Sequence, residues 1–515
     1  MATSPKRSQR DALIQGRKHR YSRHLYISRV LVAPTVCLLA ALARKAWLDL
    51  DTAWDSLAYH LPFAALRSGI LSPRQYRLSH WIGACYAGFP VLPDYLKGWL
   101  WRLTSRPQAA NVVGLFALLV LAWLLWRTYR VPMTDTLLAF LAIPIVLIQS
   151  TSAYNDLLAN SAMAVLLLLI FRALTWPGRV SLRDLLGTLV ALAVVMNCKL
   201  QFLPVGTLAL ATLAGGVYIN RRRFVCLRGE LRRATPVWRC CVVGVISVAI
   251  GLSYSKSFQN WRAFGNPVYP VAVHIGPLKL PGQFHKLGTE PEYLAKVPQA
   301  LRWALSVLEY DAFDGRRPLW SNGQGDVQLH SPALRMGGYL GVFVLFNIFW
   351  FVFLQVRVRR RFRWKPGLFL CLVTVVTAVL PASQELRYYL HWMLCLVSLN
   401  LILILHGLRG DERFNARLCF LGGAVSCLLF VLSSSGGAYL CRTGADPDRL
   451  ARDLGITKQL SSMNLRPGEA VCVIGKNPLT FLYAPIFNLH LASATHYAVL
   501  EAYSPDDCSG ARIVP

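Results

Sequence analysis

Long apolar runs alternate with short polar stretches along most of the chain. "VVGLFALLVLAWLLW", "SAMAVLLLLIF" and "GVFVLFNIFWFVFL" approach the ~20 residues that carry a helix across a bilayer core. Read as helices, such runs predict eleven spans, at roughly 27–46, 110–126, 136–150, 158–174, 185–198, 202–219, 238–255, 335–356, 366–382, 388–406 and 416–434. The expected fold class is therefore an α-helical polytopic membrane protein. The pattern changes after residue 434. From "LARDLG" onward it reads as helix, turn, a short strand "AVCVIG", then loop and helix, so 435–515 is expected to be a small α/β appendage. Its "GKNP" lacks the upstream glycine and the Ser/Thr of a phosphate-binding loop.

Composition agrees with the pattern. Hydrophobic residues make up 55% of the 515 and charged residues 16%, against about a quarter in soluble domains. The net charge of +30 raises the question of nucleic acid, but Lys and Arg also gather in the cytoplasmic loops of membrane proteins. Their placement here favours that second reading. They crowd the arm at 1–26, "RRRFVCLRGELRR", "RVRRRFRWK" and "RGDERFNAR", on one side of the alternation. This predicts a cytoplasmic N-terminus, contact with anionic membrane lipid and no nucleic-acid partner. The outer loops 47–109 and 256–334 and the C-terminal segment fall on the other side. No cleavable leader is read in the basic N-terminal arm. The 13 cysteines contain no CxxC. Cys441 and Cys508 both lie in the outer part and are candidates to pair in an oxidising compartment.

Ionisable residues then stand out on that outer side. "DLDTAWDSLAYHLPFAALRSG" at 49–69 carries Asp51 and Asp55, four apart and so on one face of a helix. With Tyr59, His60 and flanking leucines it is expected to form an amphipathic helix along the membrane interface, bent or ended by Pro62. "SAYND" brings Tyr154 and Asp156 to the mouth of a span. "NCKLQF" places Lys199 in a turn, "FGNPVYP" places Asn266 in another, and "SQELRYYL" supplies Glu385 and Arg387. Each has a plainer use: Asp156 suits a helix N-terminus, Lys199 can snorkel to headgroups, and His60 suits a hydrogen-bonded interface. "NGQGD" at 322–326 is a loop signal. The spacing of Asp51, Asp55 and His60 fits no sharp metal template. No cofactor is expected, and a divalent metal is left open.

Together the residues up to about 434 resemble the GT-C superfamily of polytopic glycosyltransferases, in the group of the lipid A aminoarabinose and protein mannosyl transferases. The resemblance rests on Asp55 ahead of Tyr59, His60, Leu61 and Pro62, on "YND", on a lone Lys199, on "GNPVYP" and on "RYYL". It implies transfer of a sugar from a polyprenyl-phosphate donor to a glycan, lipid or protein acceptor on the extracytoplasmic face, with inversion. It implies Asp55 as the catalytic base. Lys199 and Arg387 are then expected to bind the donor phosphate, and Asp51, Tyr59, His60, Tyr154, Asp156, Asn266 and Glu385 to contact substrate. Displacing a phosphate needs one base and cations for the leaving group, which these residues supply. A transporter or flippase of lipid-linked glycan is the alternative, since it too would carry buried charge. The absence of a clear internal repeat speaks against it.

Overall fold

The computed structural model describes residues 30–175, 180–219, 235–285, 296–308, 338–358, 364–434, 439–475, 478–489, 491, 496–508 and 510–514. The N-terminal arm, all of "RRRFVCLRGELRR", residues 359–363, residues 309–337 with "NGQGD", and the lysine and asparagine of "GKNP" lie outside them.

The described parts of the apolar runs are largely helical. Among the described residues six helices, not eleven, are long and apolar enough to cross a membrane: Val30–Leu48, Pro107–Tyr129, Asp156–Thr175, Phe202–Ile219, Pro236–Phe264 and Gly410–Ser434. Gly341–Arg357, Lys365–Val379 and His391–Gly407 are shorter and equally apolar. Leu182–Met196 starts from a capping box in which Ser181 and Asp184 bond each other's backbone N–H. The run at 136–150 is two short helices, Met133–Leu141 and Pro144–Gln149, because Pro144 removes a backbone donor and restarts the chain. Asp156–Thr175 and His391–Gly407 are the most enclosed and share one large core with their neighbours. Elsewhere the bundle turns Phe116, Val243, Phe349 and Val375 outward, as a lipid-facing surface requires.

At one end of the bundle the chain builds a polar cap. Its sheet has the order β1-β5-β4-β6, all neighbours parallel, with β1 Tyr76–Arg77, β4 Ala470–Ile474, β5 Ala498–Ala502 and β6 Arg512–Ile513. A separate antiparallel hairpin joins β2 Val273–Ile275 to β3 Leu278–Leu280. The C-terminal segment is thus not an isolated appendage. It takes its edge strand from the 47–109 loop, where Tyr76 pairs with Val499. One apolar cluster joins Leu57, Leu61 and Trp101 of that loop to Phe481, Phe487 and Val499.

Four expectations need correction here. Cys508 is disulfide-bonded to Cys472, whereas Cys441 is free and exposed. Cys472 lies in β4, where an apolar strand hides its role. Asp51 and Asp55 do not share a helix face, because the chain is still irregular at Asp51 and Asp55 caps a π-helical turn, Ser56–His60. That turn and the following helix Leu61–Arg67 do not lie along the interface. Leu57, Leu61 and Ala65 are fully packed against the C-terminal segment, and Phe63 packs instead with Ile82 and Cys85. Nor does Pro62 end the helix, since it sits in the first turn, where no N–H is needed. The amphipathic element is instead Leu92–Thr104, which buries Asp94, Lys97 and Trp101 and exposes Tyr95, Leu96, Trp99 and Leu103.

Candidate active site

Two buried ion pairs stand where the cap meets the bundle. The Arg387 guanidinium donates from Nη1 to Asp55 Oδ2 at 2.5 Å, with both side chains about 5% exposed. Arg387 also donates from Nη2 to the Tyr388 hydroxyl at 3.2 Å, and its Nε is 3.9 Å from Glu385. Its plane lies over Tyr388 at 4.9 Å and Tyr154 at 5.4 Å, a stacked setting that suits Arg rather than Lys. Lys199 pairs with Asp156, whose carboxylate opens the Asp156–Thr175 helix, where the dipole favours negative charge. The Lys199 ammonium also lies 4.5 Å from the Tyr388 ring. Burial lowers the pKa of Lys199, and Asp156 opposes that shift.

The backbone explains how residues so far apart in sequence meet. A 3₁₀ turn, Leu386–Tyr389, delivers Arg387 just before His391–Gly407 begins. Asn160 fixes it there, because its amide donates to the Arg387 carbonyl at 2.8 Å and its oxygen accepts from the His391 N–H at 2.9 Å. On the facing side the π-helical turn carries Asp55, Tyr59 and His60.

Lys199 and the Tyr388 ring, which touches both cations, line a cavity of about 680 Å³ together with Tyr59, His60, Phe63 and Asp94. His60 is buried against the Tyr59 and Tyr154 rings, at 4.3 and 5.8 Å. Burial first, then Lys97, Lys199 and Arg387, hold its pKa well below the usual value, so the ring is neutral. Burial likewise raises the Tyr154 and Tyr59 phenols. Leu380 and Tyr389 line this cavity, while Thr377 and His391 line a second, apolar one of about 450 Å³ between Asp156–Thr175, Phe202–Ile219 and Lys365–Val379.

Of the sequence-predicted residues, the structure brings Asp55, Tyr59, His60, Tyr154, Asp156, Lys199, Glu385 and Arg387 together. Asp51 and Asn266 have other work. The Asp51 carboxylate accepts from the Ala153 N–H at 2.7 Å and from the Ser56 hydroxyl, tying two loops. Asn266 is fully buried in its turn, donating to the Val271 and Pro281 carbonyls at 2.7 Å each and accepting from the Val268 N–H at 2.9 Å. Sequence reasoning missed Asp94 and Lys97. The Lys97 ammonium is fully buried and donates to the Ala153 carbonyl and to Asn155. Burial lowers its pKa to about 8, against Asp94 and Asp156. The available signal was an acid and a lysine three apart on one face of an otherwise apolar helix.

A helical membrane bundle carrying a cap, with acid–cation pairs at their junction, is the fold of a solved polytopic membrane protein, ArnT. The structure is similar to the crystal structure of ArnT from Cupriavidus metallidurans bound to undecaprenyl phosphate, with 11% identity, a TM-score of 0.51, and coverage of 93% of this chain and 86% of that one. The apo structure of the same protein aligns at 14% identity and a TM-score of 0.48, over 93% and 89% of the two chains. No protein-family model matches the sequence, and a search of curated proteins finds no match.

Proposed function

We propose that the chain is a membrane glycosyltransferase that moves a sugar from a polyprenyl-phosphate donor to a hydroxyl acceptor on the extracytoplasmic face, inverting the anomeric centre. The observation that carries this reading is the pairing of Asp55 with Arg387, whose guanidinium shares the Tyr388 ring with Lys199, a residue of the aromatic cavity wall. Support comes from the likeness to a fold that in ArnT binds undecaprenyl phosphate. The apolar second cavity next to the first suits the start of a prenyl chain.

In this mechanism the donor phosphate engages Arg387 and Lys199, with Arg offering a planar fork to two phosphate oxygens. Asp55 and Asp156 now hold those same cations, so phosphate entry loosens both carboxylates. Asp55 is then available to take the proton of the acceptor hydroxyl as that oxygen attacks the anomeric carbon. The bond to phosphate breaks, and the departing phosphate is stabilised by the two cations. Phosphate needs little acid help as a leaving group, so one base suffices, worth about 10²–10⁴-fold. Asp156, Tyr154 and Tyr59 position the sugar or the acceptor.

The test is incubation of purified protein with a panel of polyprenyl-phosphate sugars and candidate acceptors, with and without EDTA, followed by lipid and product analysis. The expected result is release of polyprenyl phosphate coupled to a glycosylated product. Binding of intact lipid-linked glycan with no bond cleavage across the whole panel would sink the proposal in favour of a carrier.

A further inference from the structure

One neutral side chain ties together the two segments from which the acid–cation pairs are built. Asn160 lies one turn into the Asp156–Thr175 helix and is fully buried. Its amide nitrogen donates to the Asp156 carbonyl within that helix and to the Arg387 carbonyl outside it, at 2.8 Å each. Its oxygen accepts from the His391 N–H at 2.9 Å and lies 3.1 Å from His391 Nδ1. These partners leave the amide one orientation, since a flipped group would set its oxygen against two carbonyls. Both amide protons and the oxygen are used.

The local sequence shows why a residue from another helix is needed. His391 opens the His391–Gly407 helix, and its N–H is one of the four that a helix start leaves without an intrahelical partner. Leu390 precedes it and offers no side-chain cap. Asn160 supplies the cap from the neighbouring helix. In doing so it hooks the Leu386–Tyr389 turn, which carries Arg387, onto the helix whose first residue holds Lys199. The turn is braced elsewhere by the Tyr339 hydroxyl, which donates to the Leu386 carbonyl, and by the Tyr389 hydroxyl, which donates to the Pro381 carbonyl, at 2.8 Å each. Those bonds fix the turn against other segments, whereas the Asn160 bonds fix it against the Lys199 pair.

Lys199 and Arg387 stand 4.5 and 4.9 Å from the same Tyr388 ring, and like charges so placed repel. Asp156 and Asp55 offset that repulsion. A phosphate that takes both cations loosens both carboxylates, as in the mechanism above. The Asn160 bonds run to backbone, so they persist when the carboxylate pairs open. We infer that Asn160 is a positioning residue for the donor phosphate: fully buried, it touches no substrate and acts through Arg387, fixing the spacing between that guanidinium and the Lys199 ammonium. The inference rests on the transferase reading above and leaves the base and the cations where they are.

The experiment measures binding of undecaprenyl phosphate to the full-length purified protein, with melting followed on the same preparations. Asn160→Leu nearly keeps the volume and removes every side-chain bond. Asn160→Ser is smaller, and its hydroxyl can bond back to the Asp156 carbonyl, so it reports where Asn160→Leu does not fold. In the folded variants the dissociation constant should rise at least about tenfold, since a small displacement of a positioned group costs that much or more. A purely structural role would lower the folded fraction and leave the dissociation constant of the folded molecules unchanged, and that result overturns the inference. In the Lys199→Ala background there is no spacing left to set, so Asn160→Ser should then weaken binding by less than about threefold. An equal loss in both backgrounds places the effect elsewhere and overturns the inference too. If the parent protein binds no undecaprenyl phosphate, the transferase reading falls and takes this inference with it. Binding in the parent that Asn160→Ser leaves unchanged removes this inference alone.

Discussion

Asp55 and Asp51 are separated by their partners rather than by their burial. Asp55 touches the cation that would hold a departing phosphate, while Asp51 is spent on the Ala153 N–H and the Ser56 hydroxyl. Asp55→Asn keeps an oxygen for Arg387 and removes the base. Turnover should fall by about two to four orders of magnitude with donor binding intact. Asp51→Asn should act on folding instead, lowering stability by about 1–3 kcal/mol through lost loop bonds, while turnover per folded molecule stays within a few fold. Thermal unfolding and kcat measured on the same preparations check both. The two cations differ as well. Arg387→Ala strands a buried Asp55, a loss of about 3–5 kcal/mol, so its loss of donor binding is entangled with misfolding. Lys199→Ala leaves Asp156 at a helix N-terminus that tolerates the charge, so it is the cleaner probe. Donor affinity should drop at least about tenfold with little change in melting, and an unchanged affinity would return Lys199 to a merely structural role.

At the scale of elements, Leu92–Thr104 ties the cavity to the packing around it. Gly98 faces the Leu61–Arg67 helix so closely that an added Cβ would meet the Ala64 carbonyl and lie 2.7 Å from Ser68 Cβ and Oγ. Gly98→Ala should therefore push the helix outward, costing about 1–3 kcal/mol and moving Asp94 off the cavity wall. Leu103→Ala, on the exposed face of the same helix, should leave melting in detergent nearly unchanged. Equal effects of the two substitutions would contradict this packing. The same helix marks the limit of what the sequence discloses. Spans such as Pro107–Tyr129 announce themselves because bilayer thickness demands a long apolar run. The candidates Asp55, Lys199 and Arg387 stood out in the sequence because charge at the mouths of such runs is costly. Lys97 was not, since a lysine on an amphipathic helix ordinarily points to water and only tertiary packing turned it inward. The strand Tyr76–Arg77 is two residues long and exists only because β5 pairs with it, and no local pattern encodes that. Cys472, inside "AVCVI", reads as one more core hydrophobe until its distant partner is known.

Across the whole molecule the cap supports the site rather than trailing from it. It packs on the 47–109 loop behind the turn that carries Asp55 and His60, and a titratable group sits in that joint. Glu501, in β5, is 3% exposed and accepts from the Ser79 N–H at 3.3 Å across the junction. Burial raises its pKa to about 7, with the Ser79 hydrogen bonds opposing. In the unfolded chain a glutamate titrates near 4.3. Between those two values the folded state binds more protons than the unfolded one, so stability falls as pH rises through the window and levels off above about 7. The full drop is on the order of 3 kcal/mol. Glu501→Gln carries no proton to lose, so it should match the parent near pH 4.5 and exceed it at pH 7.5. Asp94, also raised by burial, adds a slope of the same sign to both proteins and cancels in the difference. Tyr76 and Tyr503 interact with this region, but phenols stay neutral throughout the window. Melting temperatures of the two proteins across pH 4.5–7.5 should therefore diverge steadily as pH rises. Parallel curves would mean that Glu501 is as ionised in the joint as it is in water, and that the cap is not closed over the outer loop as described.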